Sequence, residues 1–138
     1  MGITGNIYSL YSGISISISR GPNNMPLLKI QTNIDLSITQ QEELIKKMSA
    51  ISARELAKPE RYVMVILETG TTILFSGENT PTAYIELKSI GLPEQQTTAL
   101  SASLCQALCD ETGIPPERIY IEFSNIPRHL WGWDGNTF

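Results

Sequence analysis

A proline that directly follows a methionine has the greatest chemical potential of any residue in this chain. Met25-Pro26 opens the run Pro26-Leu27-Leu28-Lys29-Ile30. If the mature chain begins at Pro26, the nitrogen of that residue is a free secondary amine. A free α-amine has a pKa of about 7.7–8.0, so it can act as a general base near neutral pH. If any preceding residue is retained, the same nitrogen is part of an amide and has no basic lone pair.

The segment that precedes Pro26 differs in composition from the rest of the chain. Residues 1–24 contain no acidic residue, a single arginine (Arg20) and an Ile-Ser alternation over residues 14–19. The serines interrupt the apolar run that a secretory signal needs. We therefore predict that residues 1–25 are an extension, which arises from an upstream start, a cleaved or targeting segment, or a retained arm. Residues 26–138 are predicted to form a single domain.

Composition excludes several classes of partner. The chain has 138 residues, of which 41% are hydrophobic and 17% are charged, as is typical of a globular domain. Its net charge of −4 supplies no basic field for nucleic acid. No apolar run is long enough to span a membrane. We expect a cytoplasmic protein, or one released by a route that needs no signal peptide.

The residues that could hold a metal are few. His129 is the one histidine, and the two cysteines, Cys105 and Cys109, lie four residues apart on a predicted helix. Side chains at this spacing share one helix face, where a disulfide between them would be strained. We interpret both as reduced packing residues, and we predict neither a metal site nor a cofactor.

An internal repeat predicts the fold. Pro59-Glu60-Arg61 recurs as Pro116-Glu117-Arg118, and an apolar run with strand character follows each copy. Helical patterns lie between the predicted strands, over Thr39–Leu56 and Pro93–Thr112. Each half is therefore a strand, a helix and a strand, joined by a right-handed parallel crossover.

The ends of the predicted helices carry recognisable signals. Thr39 followed by Glu42 predicts a capping box at the start of the first helix. Pro93 suits the first turn of the second helix, and Gly113 suits its end.

The sheet predicted from the repeat needs a second covering layer. We expect an α/β fold of the α+β type, in which two β-α-β units form a four-stranded mixed sheet with two helices on one face. Residues 63–67 are apolar at every position, which is typical of a strand buried on both faces. Because no further helix is predicted, another copy of the chain is expected to cover the open face.

A set of motifs, matched in order over Pro26 to Phe138, resembles the macrophage migration inhibitory factor family of the tautomerase superfamily. The motifs are Pro26, Lys58, Ser89-Ile90-Gly91, Pro116-Glu117-Arg118-Ile119-Tyr120-Ile121 and Trp133-Asp134-Gly135-Asn136-Thr137-Phe138. The resemblance implies a homotrimer whose sheets line a central channel. It also implies that an amino-terminal proline is the catalytic base.

The resemblance assigns further roles around the predicted base. Lys58 would bind a substrate carboxylate and lower the pKa of the amine by charge repulsion, although it would also suit a helix end as a solvated cation. The other residues implied to line or rim the substrate pocket are Ile90, Tyr62, Tyr120, Glu122, Trp133 and Phe138. Of these, Tyr120 would come from a neighbouring subunit. Trp133 would equally suit the packing of a C-terminal hairpin.

Two positions depart from the animal members of the family. Glu122 stands where they carry asparagine, so a carboxylate there would raise the pKa of a nearby amine or accept a hydrogen bond from a phenolic substrate. Thr82-Ala83-Tyr84-Ile85 replaces their Cys-x-x-Cys motif. A thiol–disulfide activity of that type therefore has no residues to support it.

Three functions follow as alternatives. The first is a keto–enol tautomerase for aromatic α-keto acids such as phenylpyruvate, with L-dopachrome isomerisation as a second activity. The second is a cytokine-like trimer that acts on a receptor protein with little or no catalysis. The third is a noncatalytic trimer that binds small aromatic acids.

Overall fold

Each half of the duplicated sequence folds as a strand, a helix and a parallel strand. A computed structural model describes residues 25–138. The first half comprises β1 (Leu27–Thr32), α1 (Ile38–Leu56) and β2 (Met64–Glu68). The second half comprises β3 (Ala83–Ile90), α2 (Thr97–Thr112) and β4 (Ile119–Ile126). A C-terminal hairpin follows, made of β5 (Gly132–Trp133) and β6 (Asn136–Thr137).

The four long strands form one mixed sheet in the order β2-β1-β3-β4. β1 is parallel to β2, β3 is parallel to β4, and β1 is antiparallel to β3. This confirms the predicted mixed sheet of duplicated units. Because β1 and β3 run in opposite directions, the start of β1 and the end of β3 lie at the same end of the sheet.

Both helices cover the same face of the sheet. Alternate residues of β1 and β3, such as Leu28 and Leu87, are fully buried in one core with Met48 of α1 and Leu104 of α2. This alternation places the remaining side chains of each strand on the opposite face. The core is therefore a single layer between the sheet and the helix pair.

The strand predicted to be buried on both faces is not buried within one chain. Met64 is 61% exposed and Ile66 is 37% exposed, because β2 is an edge strand and the helices cover only its other side. An open face within one chain agrees with the expectation that the second covering layer comes from another copy, and that covering stays a prediction. Two apolar side chains are left on the open face of the sheet.

The helix ends partly follow the sequence signals. The capping box of α1 is formed by Ser37 and Gln40, two residues before the predicted pair. The Ser37 Oγ accepts a bond of 3.1 Å from the Gln40 amide, and the Gln40 Oε1 accepts one of 2.9 Å from the Ser37 amide. Gly113 ends α2 as predicted, with a positive φ of 78° that favours glycine.

Arg118 fastens the connection between β2 and β3 to the start of β4. Its guanidinium donates to the carbonyl oxygens of Phe75 (2.8 Å), Thr80 (3.1 Å), Glu78 (3.3 Å) and Pro81 (3.3 Å). It also lies 4.9 Å from the centroid of the Phe75 ring. Arg118 therefore contacts the loop at residues 75–81 at four carbonyl groups, and the Asn33 side chain adds hydrogen bonds to Asn79 and Thr80.

The described residues offer no metal cluster. Among residues 25–138, no three His, Cys, Asp or Glu side chains lie close enough together to hold an ion. Cys105 and Cys109 are free cysteines. Burial raises the pKa of Cys105, and electrostatic repulsion from Cys109 adds to this shift. Within the same residues, neither helix combines the length and apolar character that a membrane span requires.

Candidate active site

A cavity of about 610 Å³ opens at the start of β1, around Pro26. Its walls come from the first residues of β1, the segment that leads into β2, and the C-terminal hairpin. Pro26 is buried, and its carbonyl oxygen accepts a hydrogen bond of 3.0 Å from the Met64 amide. This bond fixes the backbone of Pro26 against the start of β2.

Aromatic rings form one side of this cavity. The rings of Tyr62 and Trp133 meet edge to face, with their centroids 5.9 Å apart. The Phe138 ring stacks on that of Trp133, with 5.9 Å between their centroids and 7° between their planes. Such ring pairs contribute about 0.5–1.5 kcal/mol each beyond the burial of their area. The C-terminal hairpin is thereby held against the segment that precedes β2.

Arg61 is the one charged residue among the described residues that line the cavity. Its guanidinium carbon lies 4.7 Å from the centroid of the Tyr62 ring, in a cation–π arrangement. The other lining residues are apolar, aromatic or glycine: Met25, Pro26, Leu27, Tyr62, Val63, Met64, Trp131, Gly132 and Trp133. The described part of the lining therefore combines an apolar wall with a single permanent positive charge.

The structure brings together three of the residues predicted for the site. The cavity is lined by Pro26, Tyr62 and Trp133, and the Phe138 ring stacks on that of Trp133.

Lys58 and Ile90 are absent from the described lining of this cavity. Lys58 lies where the chain leaves α1, and its amide donates to the Ala53 carbonyl oxygen at 2.9 Å. Ile90 lies at the same end of the sheet as Pro26, but it is only 2% exposed and packs into the protein. Their place at the pocket stays a prediction.

Tyr120 and Glu122 lie far from the cavity of their own chain. Both belong to β4, which is separated from β2 by two strands. Tyr120 pairs with Tyr84, and Tyr84 pairs with Gln31 near the end of β1, whereas the cavity lies at the start of β1. Within one chain neither side chain can reach Pro26.

Glu122 has a hydrogen-bond donor within its own chain. The Tyr84 hydroxyl lies 2.5 Å from the Glu122 carboxylate and 3.1 Å from the Glu86 carboxylate. The hydrogen bond to Glu122 is the main cause of a raised pKa for Tyr84, followed by burial and the bond to Glu86. Glu122 does accept from a phenol, but that phenol is Tyr84.

Arg61 and Trp131 line the cavity but were not predicted to do so. The position of Arg61 one residue before Tyr62 is the signal that could have identified it. Trp131 lies two residues before Trp133, at the start of the hairpin that closes the cavity. No pattern in the sequence set it apart.

Comparison with known proteins agrees with this architecture. The sequence profile of the family described as "Macrophage migration inhibitory factor (MIF)" matches residues 25–138. The chain is 36% identical over 115 residues to a macrophage migration inhibitory factor homolog of Brugia malayi, which covers 83% of this chain and 99% of that protein.

Solved structures with the same fold include a homologue from Prochlorococcus marinus. It is 41% identical, with a TM-score of 0.77, and the match covers 81% of this chain and 98% of that one. The crystal structure of Pt0534 inactivated by 2-oxo-3-pentynoate is 26% identical, with a TM-score of 0.73 over 80% of this chain and 93% of that one. Sequence and fold therefore agree over almost the same residues, and the chain belongs to the macrophage migration inhibitory factor family of the tautomerase superfamily.

Proposed function

We propose that this protein is a keto–enol tautomerase for aromatic α-keto acids such as phenylpyruvate, with the free amine of Pro26 as its general acid and base. The observation that carries the proposal is the position of Pro26 in the wall of an apolar cavity with aromatic rings beside it. L-dopachrome isomerisation is proposed as a second activity of the same site.

The proposed reaction moves one proton within the substrate. The amine of Pro26 takes the hydroxyl proton of the enol. The resulting ammonium returns a proton to the double-bond carbon that does not bear the oxygen, which yields the ketone. The apolar walls disfavour the charged amine, and Arg61 adds repulsion between like charges. Both effects lower the pKa of the amine from about 7.7–8.0 toward neutral pH, where a general base is most effective.

The mature chain is proposed to begin at Pro26. Met25 is buried against the cavity in the longer chain. Removal of Met25 frees the nitrogen of Pro26 and also removes a side chain from the cavity wall. One processing step would therefore create the base and enlarge its pocket.

The name of one relative supports a 2-oxo acid as the substrate class. Pt0534 is inactivated by 2-oxo-3-pentynoate, a 2-oxo acid whose alkyne is conjugated to the ketone. A conjugated alkyne accepts a nucleophile, and an uncharged secondary amine is such a nucleophile. We propose that the same compound modifies Pro26 in this chain, which peptide mass spectrometry can locate.

We further propose a homotrimer in which Tyr120 of one chain reaches the cavity of the next. Tyr120 is 64% exposed and cannot reach Pro26 of its own chain. The exposed Met64 and Ile66 on the open face of β2 give a neighbouring chain an apolar surface to cover. Sedimentation equilibrium of a chain that begins at Pro26 tests this assembly, and a monomer at micromolar concentration would contradict it.

The catalytic proposal is tested with three chains. The first begins at Pro26, the second is its Pro26→Gly variant, and the third contains residues 1–138. The variant keeps an α-amine but loses the pyrrolidine ring that fixes the nitrogen at the cavity, so we expect it to lose about 10²-fold in the rate of phenylpyruvate ketonisation, as misplacement of a catalytic group does. The chain of residues 1–138 should lose at least as much, because its Pro26 nitrogen is an amide and no longer a base.

Equal rates in the first and third chains would refute the assignment of Pro26. Binding of phenylpyruvate without turnover by the first chain would instead favour a noncatalytic trimer.

A further inference from the structure

We infer that Arg61 binds the carboxylate of the substrate, so that it sets the specificity of the cavity for 2-oxo acids. This inference rests on the proposed function and assigns a role that sequence analysis gave to Lys58. It starts from the position of Arg61 as the one charged side chain among the described residues that line the cavity.

Arg61 and Arg118 occupy equivalent positions in the two copies of the Pro-Glu-Arg motif, but their surroundings differ. Arg118 donates four hydrogen bonds to backbone carbonyl oxygens of one loop. Within residues 25–138, Arg61 forms no ion pair or hydrogen bond, and its one described interaction is with the face of Tyr62. The donors of Arg61 are therefore available to a ligand.

The Tyr62 ring also orients the guanidinium. A cation over an aromatic face gains about 0.5–1 kcal/mol at an exposed site, which is enough to favour one arrangement of a long side chain. A planar guanidinium presents paired N–H donors that match the two oxygens of a carboxylate, and its charge persists at every working pH. Arg61 is thus an oriented anion-binding group at the cavity wall.

Because the other described lining residues are uncharged, a substrate carboxylate in this cavity would depend on Arg61 as its partner. A carboxylate taken into an apolar cavity needs a partner, because an unpaired buried charge is costly. An aromatic ring, by contrast, is favoured beside Tyr62 and Trp133. The cavity therefore matches a molecule with an aromatic ring at one end and a carboxylate at the other.

Both tryptophans of the chain, Trp131 and Trp133, line this cavity, so intrinsic fluorescence reports on its occupancy. The experiment compares a chain that begins at Pro26 with its Arg61→Gln variant. Each is titrated with phenylpyruvate and with its uncharged methyl ester, and the fluorescence is corrected for ligand absorbance. Arg54→Gln is the matched control, since the side chain of Arg54 is 67% exposed and outside this cavity.

We expect Arg61→Gln to weaken binding of the acid about tenfold or more, as loss of a charge-assisted hydrogen bond does. The Kd of the ester should change by less than about twofold. The KM for phenylpyruvate should rise with the Kd while kcat falls less, because the lost contact exists before the proton moves. Arg61→Lys, which keeps the charge but not the paired donors, should restore part of the acid's affinity.

Equal losses for acid and ester, or no loss for either, would overturn the role of Arg61. A different result is that the parent chain binds the acid more tightly than the ester, loses that preference in Arg61→Gln, and yet shows no turnover. That result would refute the tautomerase proposal but support the carboxylate-binding role of Arg61. A parent chain that neither binds nor converts phenylpyruvate would overturn both. Circular dichroism and thermal unfolding of each variant separate these outcomes from a folding defect.

Discussion

Arg118 offers a test of how the loop beside Tyr120 is held in place. Substitution to methionine keeps most of the apolar stem but removes all four N–H donors that reach the carbonyl oxygens of residues 75–81. It also removes the cation over Phe75, whose ring packs at 4.6 Å against that of Tyr120. The Pro81 carbonyl would lose its described donor, whereas the carbonyls of Phe75, Glu78 and Thr80 would each keep a second one.

The expected cost follows from the exposure of these contacts. Three of the acceptors are exposed and can rebind water, so each contributes about 0.5 kcal/mol, whereas the partly buried contact to Phe75 contributes about 1 kcal/mol. Adding about 0.5 kcal/mol for the cation–π contact gives a loss of about 3 kcal/mol. In a domain of this size, that loss lowers the midpoint of thermal unfolding by about 10 °C.

Thermal and urea unfolding at one fixed protein concentration measure this loss, because an oligomer's stability depends on concentration. Hydrogen exchange gives a local readout: the amides of Phe75 and Glu78, which bond to each other's carbonyls at 3.0 and 3.1 Å, should lose protection. Arg54→Met is the control, since its ion pair with Glu55 is at the surface and should cost less than about 0.5 kcal/mol. The role of Arg118 in holding the loop would be refuted if Arg118→Met lowered the free energy of unfolding no more than the control does and left hydrogen exchange of these amides unaltered.

Three further predictions concern the helix cap, the core and the open face of the sheet. Ser37→Ala should lower the free energy of unfolding by about 1 kcal/mol in urea titration, whereas Thr39→Ala should change it little; equal effects would contradict the observed cap. Leu104→Ala should cost about 3–4 kcal/mol, because this side chain is fully buried between sheet and helices, and a loss below about 1 kcal/mol would refute that packing. Since the pKa of Tyr84 is raised above its ordinary value of 10.0, its hydrogen bonds stabilise the fold at neutral pH, and this contribution is lost as pH rises above that value. Absorbance titration should therefore show a late phenolate step that Tyr84→Phe removes, and its persistence in the variant would exclude Tyr84 as the source.

The order of elements was predictable because local patterns determine it. The repeated motif and the apolar runs indicated four strands and two helices, and Gly113 marked the end of α2 by its conformational freedom. The cap of α1 was predicted at Thr39 but lies at Ser37, a residue type that is equally suited to capping. Only the observed geometry shows that Ser37 pairs with Gln40.

The site was harder to predict because tertiary contacts decide which residues meet. The same Pro-Glu-Arg motif gives Arg118 a set of carbonyl partners and leaves Arg61 at the cavity wall. The strand order, which the sequence did not reveal, separates Tyr120 from the Pro26 of its own chain. The role of Lys58 as the carboxylate-binding residue was assigned by resemblance alone. In this segment of the chain, Arg61 is the first described residue that lines the cavity.

Pro26 is proposed to act through a free amine, which the intact mass of the protein isolated from its own host can test. We expect a mass that corresponds to a chain beginning at Pro26. A mass that retains Met25 or any earlier residue would place the Pro26 nitrogen in an amide and would contradict the claim.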